Sequence, residues 1–358
     1  MTAALAPGAT IGIIGGGQLG RMLAMAAARL GYRTVILEPQ PDCPAAQVAN
    51  AHLVAAYDDT EALAELARRC DVVTFEFENV PLGAAHGLAG GATPLHPPAR
   101  ALEVAQDRLT EKNFLNGLGI ATARFHSVDT EQDAQAALER LEGGAILKTR
   151  RLGYDGKGQV RLSPDSDAAA GFRELGSVAQ IMEAEVDFDC EISIVAARDA
   201  AGQVAAFEPA RNVHRDGILR SSSLPSSVAL ATEDAARDIA FQILAALDYV
   251  GVIGVEFFVM RDGTVLVNEI APRVHNSGHW TEAACAVSQF EQHIRAICGL
   301  PLGSPARHSD CVMENLIDDD IKFVPQLLAE RGVVVHLYGK AEARPGRKMG
   351  HFTRLLAR

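Results

Sequence analysis

The chain has 358 residues, which is enough for two or three domains of ordinary size. Hydrophobic residues make up 48% of it and charged residues 22%, as is typical of a globular protein with a full core. The formal net charge of −12 argues against nucleic acid or an anionic membrane as a default partner. It does not argue against a nucleotide, which needs only a local cluster of cations.

Six cysteines are scattered along the chain without a CxxC pair. This pattern predicts reduced core thiols rather than a disulfide framework or a zinc site. The N-terminal residues lack the basic stretch of a signal peptide, and no apolar run is long enough to span a bilayer. We therefore expect a soluble, cytoplasmic protein without a membrane partner.

In the first third of the chain, predicted strands alternate with predicted helices. The strands are predicted at 11–14, 34–37, 53–55 and 72–75, and the helices at 18–30 and 60–69. This alternation predicts a parallel sheet in an α/β domain. Pro97-Pro98 marks a linker at its end.

A glycine motif, Gly15-x-Gly17-x-x-Gly20, links the first strand to the first helix. It fits the dinucleotide-binding fingerprint, and Glu38 follows at about 20 residues, where a ribose-binding acid would be. Any phosphate-bearing ligand can use the same helix N-terminus. A nicotinamide-dependent oxidoreductase therefore stays open, as does tight helix–strand packing without a ligand.

Two acids, Glu76 and Glu78, follow the fourth strand and share a face by the period of two. Open α/β sheets bind ligands at the carboxyl ends of their strands. Both acids are therefore candidates for ligand contact. The alternative is that one of them caps a neighbouring helix.

A basic, glycine-rich loop follows a predicted strand at 145–148. Gly153, Gly156 and Gly158 would let its backbone expose N–H groups to phosphates, and Lys148 and Lys157 supply positive charge. GxxxxGK[ST] is absent, which argues against a P-loop. We predict a flap over nucleotide phosphates, with a mobile hairpin tip as the alternative.

The stretch 252–280 predicts a β-hairpin with two facing glutamates, and the functional interpretation of the chain depends on this pair. Strands are predicted at 255–260 and 264–267, and Asp262-Gly263 between them favours a two-residue type I′ turn. In that register Glu256 faces Glu269, with Cβ atoms roughly 4.5–5.5 Å apart. Facing carboxylates repel, so we predict a magnesium site between them. A solvated edge hairpin is the alternative.

Polar residues crowd the segment after this hairpin, as in a binding loop. They are Asn268, Arg273, His275, Asn276, Ser277 and His279. Further on, Arg344, Arg347 and Lys348 form a dense cationic patch on a Pro-Gly turn. Such a patch suits a phosphate monoester, and a solvated basic tail is the alternative.

Five motifs resemble, in order, those of the ATP-grasp ligases, and within them the 5-(carboxyamino)imidazole ribonucleotide synthetase family. The motifs are GGGQLGRM, FEFEN, GYDGKGQ, NEIAPRVHNSGHW and RPGRKMGH. The resemblance covers almost the whole chain. It implies an α/β protein with an ATP-grasp fold: an N-terminal Rossmann-like domain at 1–103, an ATP-grasp domain at 104–308 with a lid subdomain at about 122–186, and a small C-terminal subdomain at 309–358.

The resemblance also implies a reaction, the carboxylation of 5-aminoimidazole ribonucleotide by ATP and bicarbonate through carboxyphosphate, in de novo purine (IMP) biosynthesis. The implied cofactors are ATP and Mg²⁺, for which Mn²⁺ can substitute, and the implied assembly is a homodimer that binds no nucleic acid. Three alternatives remain. They are an ATP-grasp ligase with another acceptor, the nicotinamide-dependent oxidoreductase, and a nucleotide-binding protein without turnover.

Site residues follow from the same resemblance. The implied catalytic residues are Arg273, Lys148, Tyr154 and His275, and the implied metal ligands are Glu256 and Glu269. ATP contacts are implied for Arg108, Lys148, Gly153, Tyr154, Asp155, Gly156, Lys157, Gly158, Gln159, Glu183, Ala184, Glu185, Val186, Glu191, His214, Asn268 and Glu269. Ribonucleotide contacts are implied for Gln18, Leu19, Glu76, Tyr154, Asp155, Arg273, His275, Asn276, Ser277, Arg344, Arg347 and Lys348.

Local structure is assigned to some of these residues. Arg108 lies on a predicted helix at 102–118, and a merely solvated arginine is its alternative. The segment 183–186 resembles a hinge between strands at 178–182 and 190–197 that holds adenine through its backbone. Glu191 is assigned to the ribose hydroxyls. His214 is predicted in a polar loop, where an ordinary surface histidine is equally compatible.

The C-terminal quarter is predicted to hold a helix at 289–298 and strands at 312–317 and 333–338. One position departs from the pattern of many ATP-grasp enzymes, which have asparagine two residues after the second metal-binding glutamate. Here that residue is Ala271. The ligand set of a second metal therefore stays open, with Asn268 as a candidate.

Overall fold

The computed structural model describes residues 4–153 and 156–356, and these residues form three β-sheets with helices packed on them. The first sheet is parallel, in the order β3-β2-β1-β4. Its region comprises β1 (Thr10–Ile14), α1 (Gln18–Arg29), β2 (Arg33–Leu37), β3 (Ala51–Leu53), α2 (Thr60–Arg69), β4 (Val72–Phe75), α3 (Leu82–Ala89) and α4 (Ala99–Ala105). The predicted parallel sheet is confirmed, although its third strand lies at 51–53 rather than 53–55.

A helix predicted at 102–118 is in fact two helices. After α4 the chain turns, and α5 (Arg108–Gly117) begins with Asp107 as its N-cap, whose carboxylate accepts from the N–H groups of Leu109 and Thr110. An aspartate at this position satisfies backbone donors that have no partner inside the helix. The break sets Arg108 at the very start of α5.

The second sheet is antiparallel, in the order β5-β8-β6-β7. Its region comprises β5 (Phe125–Val128), α6 (Glu131–Leu141), β6 (Ala145–Thr149), β7 (Gln159–Leu162), α7 (Ala168–Glu174) and β8 (Gln180–Ala184). Helices α6 and α7 cover it through a small core of its own. The predicted flap is the connection between β6 and β7.

The third sheet is the largest and runs in the order β14-β13-β9-β11-β12-β15-β17-β16, with β10 paired to β9. Its strands are β9 (Cys190–Arg198), β10 (Val204–Ala206), β11 (Ala210–Arg215), β12 (Ile218–Leu224), β13 (Gly251–Val259), β14 (Val265–Ala271), β15 (Asp310–Ile317), β16 (Val333–Leu337) and β17 (Lys348–Leu356). Its helices are α8 (Leu230–Ala246), α9 (Thr281–Ala284), α10 (Gln289–Ile297) and α11 (Val324–Ala329).

The C-terminal strands continue the third sheet instead of forming a sheet of their own. β12 pairs antiparallel with β15, with Ser222 opposite Met313, and both residues are fully buried. The predicted strands at 312–317 and 333–338 correspond to β15 and β16, while β17 was not predicted. Through this β12–β15 pairing, the C-terminal strands join the same sheet that carries the predicted metal pair on β13 and β14.

The core contains all six cysteines, which are buried and free of disulfides, as predicted. One core cluster spans α1, α10 and the third sheet, with Trp280 and Phe290 among its fully buried members. Within residues 4–153 and 156–356, no helix is long and apolar enough to cross a bilayer.

Candidate active site

The hairpin β13–β14 places Glu256 directly opposite Glu269, as predicted. The turn differs from the prediction. Met260 pairs with Thr264, and Gly263, at φ +85°, donates its N–H to the Met260 carbonyl, so the loop has three residues and is not type I′. A bulge between the pairs Phe257–Val267 and Glu256–Glu269 then shifts the register by one and restores the predicted pairing.

The two carboxylates differ in their surroundings. The Glu256 side chain is 13% exposed, whereas that of Glu269 is 39% exposed and lies 3.2 Å from Arg108 Nη1. Burial and the neighbouring charge of Glu269 raise the pKa of Glu256 to about 7. Arg108 offsets part of the charge of Glu269, and the facing, partly buried carboxylates fit a cation site better than a solvated edge hairpin.

Asp107 connects the start of α5 with the base of the flap. It is buried and accepts from Arg150 Nε and Nη2, at 3.0 and 2.9 Å, and from Arg151 Nε at 3.3 Å. The backbone N–H of Arg108 also donates to the carbonyl of Arg150. The position of Arg108 beside Glu269 is therefore fixed by both its helix and the flap strand.

Lys148 lies one residue before the end of β6, with its Nζ 3.0 Å from Glu183 Oε2. Lys112, which is almost fully buried, lies 3.3 Å from the same oxygen. Burial opposes ionisation of Glu183, yet the two lysines outweigh it and lower its pKa to about 2. Two buried ammonium groups held by one carboxylate carry an excess positive charge that suits a phosphate.

The segment 183–186, predicted as a hinge, begins in strand β8 and continues beyond its end. Glu183 and Ala184 belong to β8, and the N–H groups of Ala184 and Glu185 donate to the carbonyls of Arg124 and Gly144. The Glu185 carboxylate pairs with Arg161. Among the described residues the N–H of Val186 forms no hydrogen bond, so it is the donor this segment offers to a base.

Beside this segment lies an open depression of about 530 Å³, lined by Gly144, Arg161, Glu185, Val186, Asp187 and Phe188. On the far side, His214 lies in β11 and not in a loop, and its Nδ1 is 2.8 Å from Glu191 Oε2 on β9. Burial would lower the pKa of His214, but the hydrogen bond to Glu191 raises it.

His275 faces Glu256, with Nε2 and Oε1 3.4 Å apart. Ser193 Oγ donates to Ser277 Oγ at 2.6 Å, and Ser277 Oγ lies 2.8 Å from His275 Nδ1. The backbone N–H of Ser277 also points at Nδ1, at 3.4 Å, so a ring that carries its proton on Nε2 satisfies these contacts. Burial and the charge of Arg273 lower the pKa of His275 to about 3. His275 is therefore neutral in this site, and the catalytic role that the resemblance implies for it stays a prediction.

Glycine at position 254 makes this packing possible. A Cβ on Gly254 would lie 2.6 Å from the His275 Cβ. Ser277 is fully buried, so its predicted contact with the ribonucleotide cannot come from an exposed side chain. Asn276 is partly exposed. Its side-chain amide and that of Asn315 donate one hydrogen bond to each other, at 2.9 and 2.8 Å.

Arg273 pairs with Glu78, which links the third sheet to the end of β4. Burial opposes ionisation of Glu78, but Arg273 outweighs it and lowers the pKa of Glu78 to about 2. Glu76 has different partners, the backbone N–H groups at the start of α1. Its carboxylate accepts from the N–H of Gly17 and, at 2.6 Å, from that of Gly20.

The contacts of Glu76 bear on whether the glycine motif is free to bind a phosphate. The N–H of Gly16 donates to Glu38 at 2.9 Å, so two carboxylates already occupy the donors a pyrophosphate would need. A Cβ on Gly17 would lie 2.6 Å from Glu76 Oε1. The glycine motif thus accommodates a helix-capping acid, the alternative noted for Glu76, and the fingerprint no longer favours a nicotinamide cofactor.

Gln18 and Leu19, both predicted to lie near a ribose, form the first turn of α1. Gln18 is partly exposed, whereas Leu19 is buried in the core, so its side chain is not presented to a ligand. A contact from Leu19 would have to come from its backbone.

The flap is described except at Tyr154 and Asp155, which lie outside the described residues. Gly156 and Gly158 have φ of +75° and +73°. A Cβ on Gly156 would lie 3.0 Å from the Asp216 carbonyl oxygen, so the flap tip rests on the turn between β11 and β12. Gly153 and Gln159 border this tip, and Lys157 is exposed on it.

The C-terminal basic patch borders a cavity of about 240 Å³ between the first domain and the segment before β17. Arg344 and Arg347 line it together with Gln40, Asp42, Pro44, Gly339, Lys340, Ala341 and Glu342. Arg344 is exposed and pairs with Glu342 at 2.8 Å. Lys348 is partly buried at the start of β17, and its charge lowers the pKa values of Glu256 and His275.

Sequence reasoning missed several residues of the site. Asp107 could have been recognised as an N-cap before an apolar repeat. Glu111 gave no such signal. It is 2% exposed, and its Oε1 accepts from the Ile270 N–H at 2.6 Å, next to Glu269. The pairing of Lys112 with Glu183 joins two distant segments and has no local signature.

Comparison with known proteins follows the same division of the chain. Residues 8–106 match the ribonucleotide synthetase preATP-grasp domain, residues 113–290 the ATP-grasp domain, and residues 311–357 the phosphoribosylaminoimidazole carboxylase C-terminal domain. An N5-carboxyaminoimidazole ribonucleotide synthase of Brucella melitensis is 63% identical over 99% of this chain and 98% of its own length.

Solved structures of similarly named proteins are also similar to this chain. The ADP complex of an N5-carboxyaminoimidazole ribonucleotide synthetase superposes with a TM-score of 0.96 at 40% identity, covering 100% of this chain and 95% of that one. An N5-carboxyaminoimidazole synthase from Aspergillus clavatus, in complex with ADP and 5-aminoimidazole ribonucleotide, superposes with a TM-score of 0.92 at 30% identity. It covers 98% of this chain and 94% of that one.

Proposed function

The chain belongs to the N5-carboxyaminoimidazole ribonucleotide synthase family, and from that membership we propose how its residues carry out the family's reaction. The protein is an ATP-dependent ligase with an ATP-grasp fold that carboxylates 5-aminoimidazole ribonucleotide in purine biosynthesis. The domain limits proposed are 1–103, 104–308 and 309–358. The observation that carries the assignment of roles is the facing pair Glu256–Glu269 beside Arg108.

ATP lies, in this proposal, between the second and third sheets. The N–H of Val186 binds the base, and Glu191, held by His214, accepts from the ribose hydroxyls. Lys148 and Lys112 face the phosphates from one side, and the flap closes from the other. The excess positive charge of the Lys148–Lys112–Glu183 cluster supports this orientation, because a buried anion would balance it.

Glu256 and Glu269 would hold Mg²⁺, or Mn²⁺ in its place. The donor set fits, since two carboxylates on adjacent strands are the oxygen ligands such ions take. Asn268 at the bulge is a further candidate ligand in place of the missing asparagine at Ala271. When bound, the ion would neutralise charge on the phosphate oxygens of ATP.

Bicarbonate is a poor electrophile because its leaving group would be hydroxide. Phosphoryl transfer from ATP gives ADP and carboxyphosphate, whose leaving group is phosphate. The amine nitrogen of the ribonucleotide then bonds to the carboxyl carbon, the carbon–oxygen bond to phosphate breaks, and the amine loses a proton. Arg273 and Lys148 stabilise the charge that develops on the oxygens. His275, together with Tyr154, is the candidate for taking up the proton that the amine loses, and the released phosphate is the final acceptor.

The ribonucleotide lies across the first domain and the C-terminal strands. Its phosphate contacts Lys348 and Arg347, with Arg344 at the rim of the cavity between these regions. The flap from Gly153 to Gln159, including Asp155, covers the reacting atoms and excludes water, which would otherwise hydrolyse carboxyphosphate. Gln18 and the backbone of Leu19 approach the ribose, and Asn276 approaches the base.

One assay tests the reaction. ADP release is measured with ATP and Mg²⁺, with and without 5-aminoimidazole ribonucleotide and bicarbonate. We expect release to rise when both substrates are present, together with a labile carboxylated product. If the ribonucleotide does not stimulate ADP release, the carboxylase assignment is wrong, and a nucleotide-binding protein without turnover becomes the better description.

We further propose a cytoplasmic homodimer. Six buried free thiols support a reducing compartment, and exposed Phe323 and Leu328 in the C-terminal subdomain offer apolar surface for association. Light scattering of the purified chain tests the assembly, and a monomer at micromolar concentration would contradict it.

A further inference from the structure

A cluster of metal-ligating side chains lies apart from the site described above. His336 on β16 and His351 on β17 are direct cross-strand partners, and their rings stack with centroids 5.2 Å apart. Glu282 on α9 reaches over them, with Oε2 3.1 Å from His336 Nδ1 and 4.0 Å from His351 Nε2. One ligand atom from each of the three residues lies within 4.8 Å of the other two.

Two features indicate that these atoms are arranged for a ligand. Glu282 Oε2 is buried. His336 Nδ1 lies 3.1 Å away, but its geometry does not make a hydrogen bond, and no other described residue donates to this oxygen. Leaving a buried acceptor unsatisfied costs free energy. In addition, the second ring nitrogen of His351 bonds to the hydroxyl of fully buried Tyr338 at 2.9 Å, which directs Nε2 towards Glu282. Ligating histidines are commonly fixed by such a partner on the other nitrogen.

We propose that Glu282, His336 and His351 bind one divalent transition-metal ion, of the kind represented by Zn²⁺ or Co²⁺. Two imidazole nitrogens and one carboxylate oxygen suit such an ion, with water in a fourth position. The hard oxygen pair Glu256–Glu269 has the opposite preference, for Mg²⁺. His336 and Glu282 are each about 20% exposed, which leaves a path for entry.

The location assigns the ion a structural task. Glu282 belongs to the segment that follows the candidate binding loop, whereas the two histidines belong to the last two strands of the chain. A bound ion would tie that loop to β16 and β17, which carry the phosphate-binding patch at their edge. Because the ion would bind the folded state alone, it would also raise the temperature of unfolding.

Metal retention tests the site directly. The full chain, without any histidine tag and with Glu256→Gln and Glu269→Gln in place to remove the oxygen pair, is freed of metal with a chelator. It is then exposed to Zn²⁺ or Co²⁺ and passed through a desalting column. We expect about one equivalent to remain, with the visible bands of tetrahedral Co²⁺ and a higher unfolding temperature.

Variants in the same background separate the site from general binding. His336→Gln should abolish retention, and Tyr338→Phe should weaken affinity by about 10–100-fold. His86→Gln is the matched control, because His86 pairs with Glu103 at 2.6 Å on the surface, outside any such cluster, and it should retain the ion. Circular dichroism checks that each variant is folded. No retention in the parent protein, or equal retention in the His336 and His86 variants, would show that the cluster is only a hydrogen-bonded core.

Discussion

Glu111 shows at the scale of one residue how the facing pair Glu256–Glu269 is supported. Its carboxyl group accepts from the N–H of Ile270 and so fixes the strand next to Glu269. Burial, and then the charge of Glu269, raise the pKa of Glu111 to about 8. The pKa of this buried carboxyl group thus depends on the charge of Glu269.

Replacing Glu111 by glutamine should change how stability depends on pH. The folded protein keeps the Glu111 proton up to about pH 8, whereas the unfolded chain releases it near 4.5, so this group destabilises the fold as pH rises between those values. Glu111→Gln removes that loss. Urea unfolding without nucleotide or metal should show the variant gaining on the wild type from pH 5 to pH 8, by on the order of a few kcal/mol. A difference that does not vary with pH would contradict the raised pKa.

Lys348 and Arg344 belong to the same motif but have different surroundings. Arg344 is exposed and already paired with Glu342, whereas Lys348 is partly buried and its charge acts on Glu256 and His275. We therefore expect Lys348→Ala to raise KM for the ribonucleotide by at least about tenfold with little change for ATP, since a charged hydrogen bond to phosphate contributes roughly 1.5–3 kcal/mol. Steady-state kinetics provide the check, and Arg344→Ala should have the smaller effect. Equal changes in both KM values would argue against a phosphate contact.

Individual positions were predictable where a local rule applies. Lys148 at a strand end, the free cysteines and the glycines of the flap all follow from composition and spacing. The partners of those residues were not. Neither the two lysines sharing Glu183 nor Glu76 at the start of α1 leaves a trace in the sequence, because each contact joins segments far apart in the chain.

At the scale of one element, the hairpin β13–β14 was predicted correctly for an incomplete reason. The Asp-Gly signal gave a loop one residue too short, and the bulge before Glu269 cancelled that error. A bulge has no sequence signature comparable to that of a turn, since it depends on what the strand packs against. The same limitation explains His214, whose polar neighbours suggested a loop although the segment pairs with β9 and β12.

The flap allows a matched test of two left-handed glycines. Gly156→Ala should strain the backbone and press on the turn at Asp216, so the flap should close less well over the reaction. We expect more ADP released per carboxylated product, because carboxyphosphate would meet water. Gly176→Ala, at φ +85° with nothing within 4 Å of its Cβ, should cost similar stability, about 1 kcal/mol, without uncoupling. An unchanged ratio of ADP to product in Gly156→Ala would contradict the flap's role.

For the whole molecule, the continuity of the third sheet is the main feature that sequence reasoning did not reach. The motifs predicted a division of the chain into three regions. They could not show that β15 pairs with β12, because strand pairing across a long separation is set by burial on both faces and not by local patterns. The C-terminal strands therefore belong to the same continuous sheet as β13 and β14, which carry the facing pair Glu256–Glu269.

This continuity predicts cooperative opening. Backbone amides in β15 and β17 should exchange with deuterium only through the same global unfolding as those of β9 and β13, because all four strands belong to one hydrogen-bonded sheet. Native-state hydrogen exchange across a denaturant series measures this. Opening of the C-terminal strands at a free energy lower by more than about 2 kcal/mol would mean that the subdomain unfolds on its own.

The central claim is that Glu256 and Glu269 hold the metal ion of MgATP, and ATP binding with and without Mg²⁺ tests it most directly. In calorimetry, Glu269→Gln should lose most of the Mg²⁺-dependent gain in affinity, at least about tenfold, while binding in EDTA stays as in the wild type. Turnover should be abolished. Glu174→Gln, an exposed acid at the end of α7, serves as control and should behave as the wild type does. If Glu269→Gln keeps the full Mg²⁺ dependence and full activity, the facing carboxylates are not the metal site.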